Sequence, residues 1–236
     1  MLCYTGAVAA LPSPTDLVAA LRAALEEAAV PGQAAPMRAY MKHQFTFLGV
    51  PAPARRAAQK PTLDVLSTAT GDDLVAFARA CWADDNAREI QYAAADALRR
   101  HNKALDTGHL PALAELITTR PWWDTVDTLA THAVGPLVAR HPELSPVMDA
   151  WVDGDDLWLA RTAILHQLLW RDRTDAARLF AFADRRAADT DFFIRKALGW
   201  ALRQYARTNP EAVRAYVESR ADRLSPLTRR EALKRM

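Results

Sequence analysis

Trp123 and Asp127 stand four residues apart in the stretch Arg120-Pro-Trp-Trp-Asp-Thr-Val-Asp127. At about 3.6 residues per helical turn, they share one face. A large aromatic surface then lies one turn from an acceptor-only carboxylate. Such a pair can grip a ligand and stabilise a positive charge. It can equally be a packing edge. Trp122 falls on a different face with Val126 and Leu129, an apolar stripe suited to a core. Asp124 reads as a structural acid.

A second segment, Asp156 to Trp170, carries an apolar stripe of Leu157, Ala160, Ile164, Leu165 and Leu168 with Arg161 at its centre. A guanidinium in that position must be paired, because an unpaired buried charge is very costly. One reading is a buried ion pair with an aspartate. The other is a guanidinium held at a cleft to meet a phosphate or orient a carboxylate. Asp127 is a suitable neighbour in either case.

A third segment, Phe192 to Ala206, has a core stripe of Phe193, Ile194, Ala197, Leu198, Ala201 and Tyr205. Arg195, Lys196 and Arg203 surround Gly199 on the opposite face. A mid-helix glycine costs about 1 kcal/mol against alanine, and close approach of another backbone would justify it. A basic face with a bare centre also suits a phosphate strand, with Trp200 at its edge against a sugar or base. The bland alternative is a solvated basic face. Further basic pairs, Arg55 with Arg56 and Arg229 with Arg230, fall near expected helix starts, where free N–H groups already attract anions.

Other chemistries lack their residues. There is no glycine-rich phosphate loop. Cys3 and Cys81 are far apart and fit neither a disulfide framework nor a metal spacing, so a reducing cytosol is the default and no metal or cofactor is expected. His166 is isolated and expected on a polar face or internally satisfied, and His132 belongs to no ligand set. Tyr40 reads first as a core residue.

The elements that must position these groups are all helical. Alanine is abundant, glycine scarce, and β-alternating runs are missing. Helix starts are expected near Ser13, Ala34, Pro51, Gly71, Asp84, Leu110, Arg120, Pro142, Asp155, Thr174, Thr190, Asn209 and Ser225, several with a small polar cap, a proline and first-turn acids. Segments of roughly 12–20 residues are expected. Helices joined by short connections at about 35–45 residues per pair suggest a curved α-solenoid of degenerate HEAT-like pairs. A globular all-α bundle is the alternative. The expected organisation is an N-terminal extension over residues 1–12 and one domain over 13–236. No stretch of about 18 apolar residues or charged leader occurs, so neither a membrane span nor a signal peptide is expected.

Charge is uneven along the 236 residues. The net charge is +2, but residues from Arg195 onward carry 11 Lys or Arg against 4 Asp or Glu, a balance of +7. The preceding part balances at −5. A basic C-terminal part points toward a polyanion, or to a solvated face.

Taken in order, several segments resemble the DNA alkylation repair family, the HEAT-repeat alkylpurine DNA glycosylases. They are Met37-Arg-Ala-Tyr-Met-Lys with Phe-Leu-Gly49, Trp122-Trp-Asp-Thr-Val-Asp127, Trp158-Leu-Ala-Arg-Thr-Ala-Ile-Leu165, Phe192-Phe-Ile-Arg-Lys-Ala-Leu-Gly-Trp200, Tyr205-Ala-Arg-Thr-Asn-Pro210 and Pro226-Leu-Thr-Arg-Arg-Glu-Ala232. Departures lie in the extension through Pro12 and in Trp170 to Asp175. The resemblance implies a solenoid clasping duplex DNA and excising N3- or N7-alkylated purines without base flipping. By the family pattern Trp123, Asp127 and Trp200 match catalytic-cleft residues, Arg161 a DNA-backbone contact and Tyr40 a further cleft residue. Lys42, Arg55, Arg195, Lys196, Arg203, Arg229 and Arg230 are the additional cations expected at DNA. A cytoplasmic monomer whose partner is duplex DNA containing alkylated purines follows as the expectation.

That chemistry suits one carboxylate. An N3- or N7-alkylpurine is already cationic and departs neutral, so no general acid is needed. The sugar develops oxocarbenium character, as in glycoside hydrolysis, and an ionised Asp127 would stabilise it and could orient a water. Trp123 and Trp200 could each add about 0.5–2 kcal/mol through aromatic faces. No lysine stands out as a Schiff-base nucleophile, so a monofunctional enzyme is expected. The competing expectation is a non-catalytic helical scaffold that binds DNA or protein.

Overall fold

A computed structural model describes residues 11–83 and 85–234. Cys3, most of the expected N-terminal extension and the expected helix start at Asp84 lie outside the described residues. Among the described residues every regular element is helical. The chain divides into two compact units, one up to Ala97 and one from Leu98.

The first unit contains α1 (Pro14–Glu27), α2 (Ala34–Tyr40), α3 (Ala52–Ala58), α4 (Lys60–Val65), α5 (Gly71–Cys81) and α6 (Arg88–Arg100) up to Ala97. Ser13 caps α1 by accepting the Asp16 N–H, with Pro14 at the first helical position. Thr70 and Asp73 close a reciprocal capping box on α5. Leu17, Leu21 and Leu25 bury one face of α1, which packs on α3, α4 and α5. Glu89 is buried and accepts the backbone N–H groups of Leu48, Gly49 and Val50 at 3.1, 2.9 and 3.2 Å. Its neighbour Arg88 sets its guanidinium 3.7 Å over the Phe45 ring. These two residues of α6 lock the irregular strand of chain that leads into α3. Their buried charges gave no periodic signal in the sequence.

The second unit contains α7 (Leu110–Thr118), α8 (Trp123–Leu129), α9 (Gly135–Arg140), α10 (Ser145–Asp153), α11 (Leu157–Leu165), α12 (Ala176–Arg185), α13 (Phe192–Tyr205), α14 (Pro210–Ser219) and α15 (Pro226–Ala232). Caps recur where the sequence placed them. Asp156, Asp175, Asp191, Asn209 and Ser225 each accept first-turn N–H groups. Such caps are worth about 1 kcal/mol each. Helices α10, α11, α13 and α15 form a chain of contacts, α10 on α11, α11 on α13 and α13 on α15.

Most helices are shorter than expected. Only α1, α6 and α13 exceed 12 residues, at 14, 13 and 14. Prolines and short 3-10 turns break the periodic runs. The sequence gives no separate start for α4 or α9, because each follows its predecessor without a side-chain cap. A π-helical segment, Ala130–Val134, joins α8 to α9.

Candidate functional site

Asp127 and Arg161 meet across α8 and α11. Arg161 donates from Nε to one carboxylate oxygen at 2.7 Å and from Nη2 to the other at 2.8 Å. Its Nη1 donates to the carbonyl of Phe193 on α13. One guanidinium therefore ties three helices together. The Arg161 side chain is only 4% exposed and that of Asp127 16%. Burial pushes the Asp127 carboxyl above its ordinary value. The hydrogen bonds and charge of Arg161 pull it back, Asp124 adds to the upward push, and the net direction is up.

The placement of this pair follows from local signals. Trp122 has extended backbone and occupies the N-cap of α8, so the helix begins at Trp123 rather than near Arg120. Trp123 is half-buried at the first helical position, one turn before Asp127. Trp122 is consequently not on the helical stripe with Val126 and Leu129. Its ring meets those of Trp158 at 5.9 Å and Phe193 at 5.2 Å, and Trp158 meets Phe193 at 5.1 Å. Offset and edge contacts of this kind contribute about 0.5–1.5 kcal/mol each beyond area burial. This aromatic cluster joins α11, α13 and the start of α8, the elements that carry the Asp127–Arg161 pair.

Two further features fix α8. Thr131, in the π segment, donates its hydroxyl to the Asp127 carbonyl at 2.7 Å. Gly135 closes that segment, and a Cβ there would sit 2.1 Å from the His166 carbonyl oxygen. The chain after α8 thus rides directly on the backbone that leaves α11. A π turn next to a functional residue is a recurrent arrangement.

The basic face expected on α13 is covered. A Cβ on Gly199 would lie 2.5 Å from the Glu231 Cβ and 2.8 Å from the Thr228 carbonyl of α15. The glycine serves close helix approach, and its face is not bare. Lys196 and Arg203 pair with Glu231 at 2.7 and 2.6 Å, and Arg195 donates to the Asp189 carbonyl at 2.7 Å. Hydrogen bonding from Lys196, with help from Arg203, holds the Glu231 carboxyl below its ordinary value. Lys196 and Arg203 compensate the buried glutamate, while Arg195 is tied to a backbone carbonyl.

Other expected DNA contacts divide in the same way. Arg55 is in the last turn of α3, not at its start, and pairs with Asp96 at 2.8 Å beside the Tyr92 ring. Arg229 and Arg230 also occupy a last turn, that of α15. Arg230 is exposed, and Arg229 is half-buried with its Nε unpaired. Tyr40 is 71% exposed, which removes the core reading. Lys42 is exposed in a turn where both it and His43 adopt positive φ, 55° and 59°, a backbone cost of order 1–3 kcal/mol each. Arg161 presents no exposed guanidinium to a phosphate, since its donors face Asp127 and Phe193.

Trp200 is half-buried and lines a cavity with Arg203, Gln204 and Arg207. Neither Asp127 nor Trp123 lines that cavity. His166 is fully buried rather than polar-facing. Its Nδ1 meets the Ala163 carbonyl, its Nε2 has no partner, and burial lowers its pKa to about 4. Among the described residues no cluster of His, Cys, Asp or Glu could hold a metal, and no helix is long and apolar enough to cross a membrane.

Among the described residues the regular elements are all helical, and a buried carboxylate–guanidinium pair lies one turn from a tryptophan. The model of the DNA alkylation repair enzyme family matches residues 21–236, and the chain belongs to that family. It is similar to a predicted DNA alkylation repair enzyme from Enterococcus faecalis, at 33% identity, TM-score 0.81, and coverage of 88% of this chain and 96% of that one. The fold is also similar to that of smu.31 from Streptococcus mutans UA159, at 15% identity, TM-score 0.62, and coverage of 95% of this chain and 100% of that one. No protein of curated function matches the chain.

Proposed function

We propose that this DNA repair protein is a monofunctional glycosylase that hydrolyses the N-glycosidic bond of N3- or N7-alkylated purines in duplex DNA. The observation that carries the reading is the orientation of Asp127. Its carboxylate is held at both oxygens by Arg161, partly open to solvent, and one turn from the half-buried Trp123.

In the proposed step the bond from the sugar C1′ to the purine nitrogen breaks. Its electron pair leaves with the base, whose positive charge is thereby neutralised. The oxocarbenium-like sugar faces Asp127, which stabilises it electrostatically because its position is set in advance. Water adds to C1′ and releases a proton. Asp127 is the group offered to orient that water and receive the proton. Arg161 is a positioning residue that also helps keep Asp127 ionised despite its burial. The exposed Tyr40 and Lys42 of the first unit, with Arg230 of the second, are proposed as DNA contacts. Recognition without base flipping belongs to the same proposal.

A second reading has its own observation. Both Asp127 oxygens accept from Arg161, as they would in a purely structural ion pair. A non-catalytic DNA- or protein-binding scaffold would look the same. Mass spectrometry of bases released from multiply alkylated duplex DNA separates the two. Release of 3-methyladenine or 7-methylguanine supports the glycosylase. Salt-sensitive binding with no released base of any kind supports the scaffold.

A further inference from the structure

Helical backbone runs without a break from Trp123 to Arg140, through α8, the π segment and α9. This run meets α11 at two points. Asp127 takes the two-bonded contact from Arg161. Gly135 lies against the carbonyl of His166, the residue that caps the C-terminus of α11. The two points are eight residues apart along the run. Two turns of α-helix hold about 7.2 residues, so an unbroken α-helix would point Asp127 and Gly135 about 80° apart. Both could not then face α11. A single wide turn absorbs about one surplus residue and returns both to the same side. The structure has that turn: the Gly135 N–H donates to the Ala130 carbonyl, five residues back.

Two side chains hold the wide turn in place. Pro136 has no N–H, and in a regular helix its ring would clash with the carbonyl of His132, four residues back. Widening the turn relieves that clash. Thr131 bonds through its hydroxyl to the Asp127 carbonyl, which also takes the Ala130 N–H. A hydroxyl bonded four residues back bends a helix, and this one acts on the peptide of Asp127 itself. Thr131 is 5% exposed, so the contact is dry and fixed.

We infer that the wide turn is a register device for Asp127, and that Thr131, Gly135 and Pro136 are positioning residues that keep its carboxylate turned toward Arg161. What that facing does for base release rests on the proposed glycosylase reading. Nothing in the inference depends on how the chain grips DNA.

The test combines single-turnover base release from saturating alkylated duplex with carbon-13 NMR titration of the Asp127 carboxyl. Thr131→Val keeps the branched shape and loses the hydroxyl. It should lower release about tenfold with duplex affinity unchanged. The Asp127 midpoint should also rise, because a carboxylate turned from Arg161 loses the guanidinium's downward pull while burial and Asp124 still push up. Thr131→Ser should restore both readings. A chain lacking His132 and carrying Pro136→Ala places the two α11 contacts seven residues apart, which an unbroken α-helix returns to within about 20° of each other. That shortened chain should keep release within about threefold of the wild type. Thr131→Val should have no further effect in it, because there is no wide turn left to hold. Wild-type release and midpoint in Thr131→Val overturn the role of Thr131. Loss of release or of folding in the shortened chain, or an undiminished effect of Thr131→Val within it, overturns the register account. If the unmodified protein releases no base, the glycosylase reading falls, and the Asp127 titrations alone decide the positioning.

Discussion

Arg161 faces Asp127 in a two-bonded geometry, Nε to Oδ1 at 2.7 Å and Nη2 to Oδ2 at 2.8 Å, while its third nitrogen holds the Phe193 carbonyl. The carboxylate can therefore neither rotate nor retreat without breaking contacts among α8, α11 and α13. A single preset charge in a partly dry site is what a departing cationic base requires, because it costs no reorganisation when charge develops.

Asp127→Asn is expected to keep duplex binding and to lower base release about 10²–10³-fold, the usual loss when one preorganised electrostatic group is removed. Single-turnover release with saturating alkylated duplex measures this. Circular dichroism confirms the fold of the variant. Unchanged release would end the role proposed for Asp127.

The pH dependence follows from the raised Asp127 carboxyl. The ionised form is the active one, so release should rise with pH through a midpoint above the ordinary aspartate value. Arg161→Lys loses the two-bonded geometry and should move that midpoint further up as well as lowering the plateau. A structural effect alone would lower the plateau and leave the midpoint in place. The same shift carries a stability sign: the proton is held more tightly in the folded chain, so this group's contribution declines as pH rises from the unfolded to the folded value.

Gly199→Ala tests the α13–α15 contact. Helix propensity alone would stabilise the variant by about 1 kcal/mol. The added Cβ would meet the Glu231 Cβ at 2.5 Å and a backbone carbonyl at 2.8 Å, and overpacking of this kind costs about 1–3 kcal/mol. Net destabilisation in urea denaturation is expected. A more stable variant would show that α15 yields easily.

His166 makes acid sensitivity predictable. Its folded pKa of about 4 is depressed by burial. Stability from the neutral ring is therefore full above the unfolded value of about 6.5 and is lost as pH falls toward the folded one. Between pH 7 and 5 the expected loss is about 2 kcal/mol. Chemical denaturation of the wild type against His166→Phe isolates this contribution, and equal pH dependence in both would refute it.

Much of this molecule is legible in its sequence. Ser13, Asp156, Asp191, Asn209 and Ser225 announced their helices because a cap is a local interaction, settled within three residues. Arg161 at the centre of an apolar stripe announced a buried partner, and Asp127 is that partner. The ordered segments around Trp123, Arg161 and Trp200 pointed to the family that the comparisons found.

Tertiary structure decided what those charges do. Lys196 and Arg203 looked like a phosphate face until Glu231, some thirty residues away in sequence, arrived on α15 to neutralise it. Arg55 looked free until Asp96 met it. Trp122 changed role because its backbone is extended, which moved it off the helix and into a cluster with Trp158 and Phe193. Periodicity reports which face of a helix is apolar. It carries no record of which distant helix covers that face or which charge comes with it. Those depend on long-range packing, so sequence by itself determined the helical class, the candidate carboxylate and the family, and only the folded chain decided which cations remain free for a ligand.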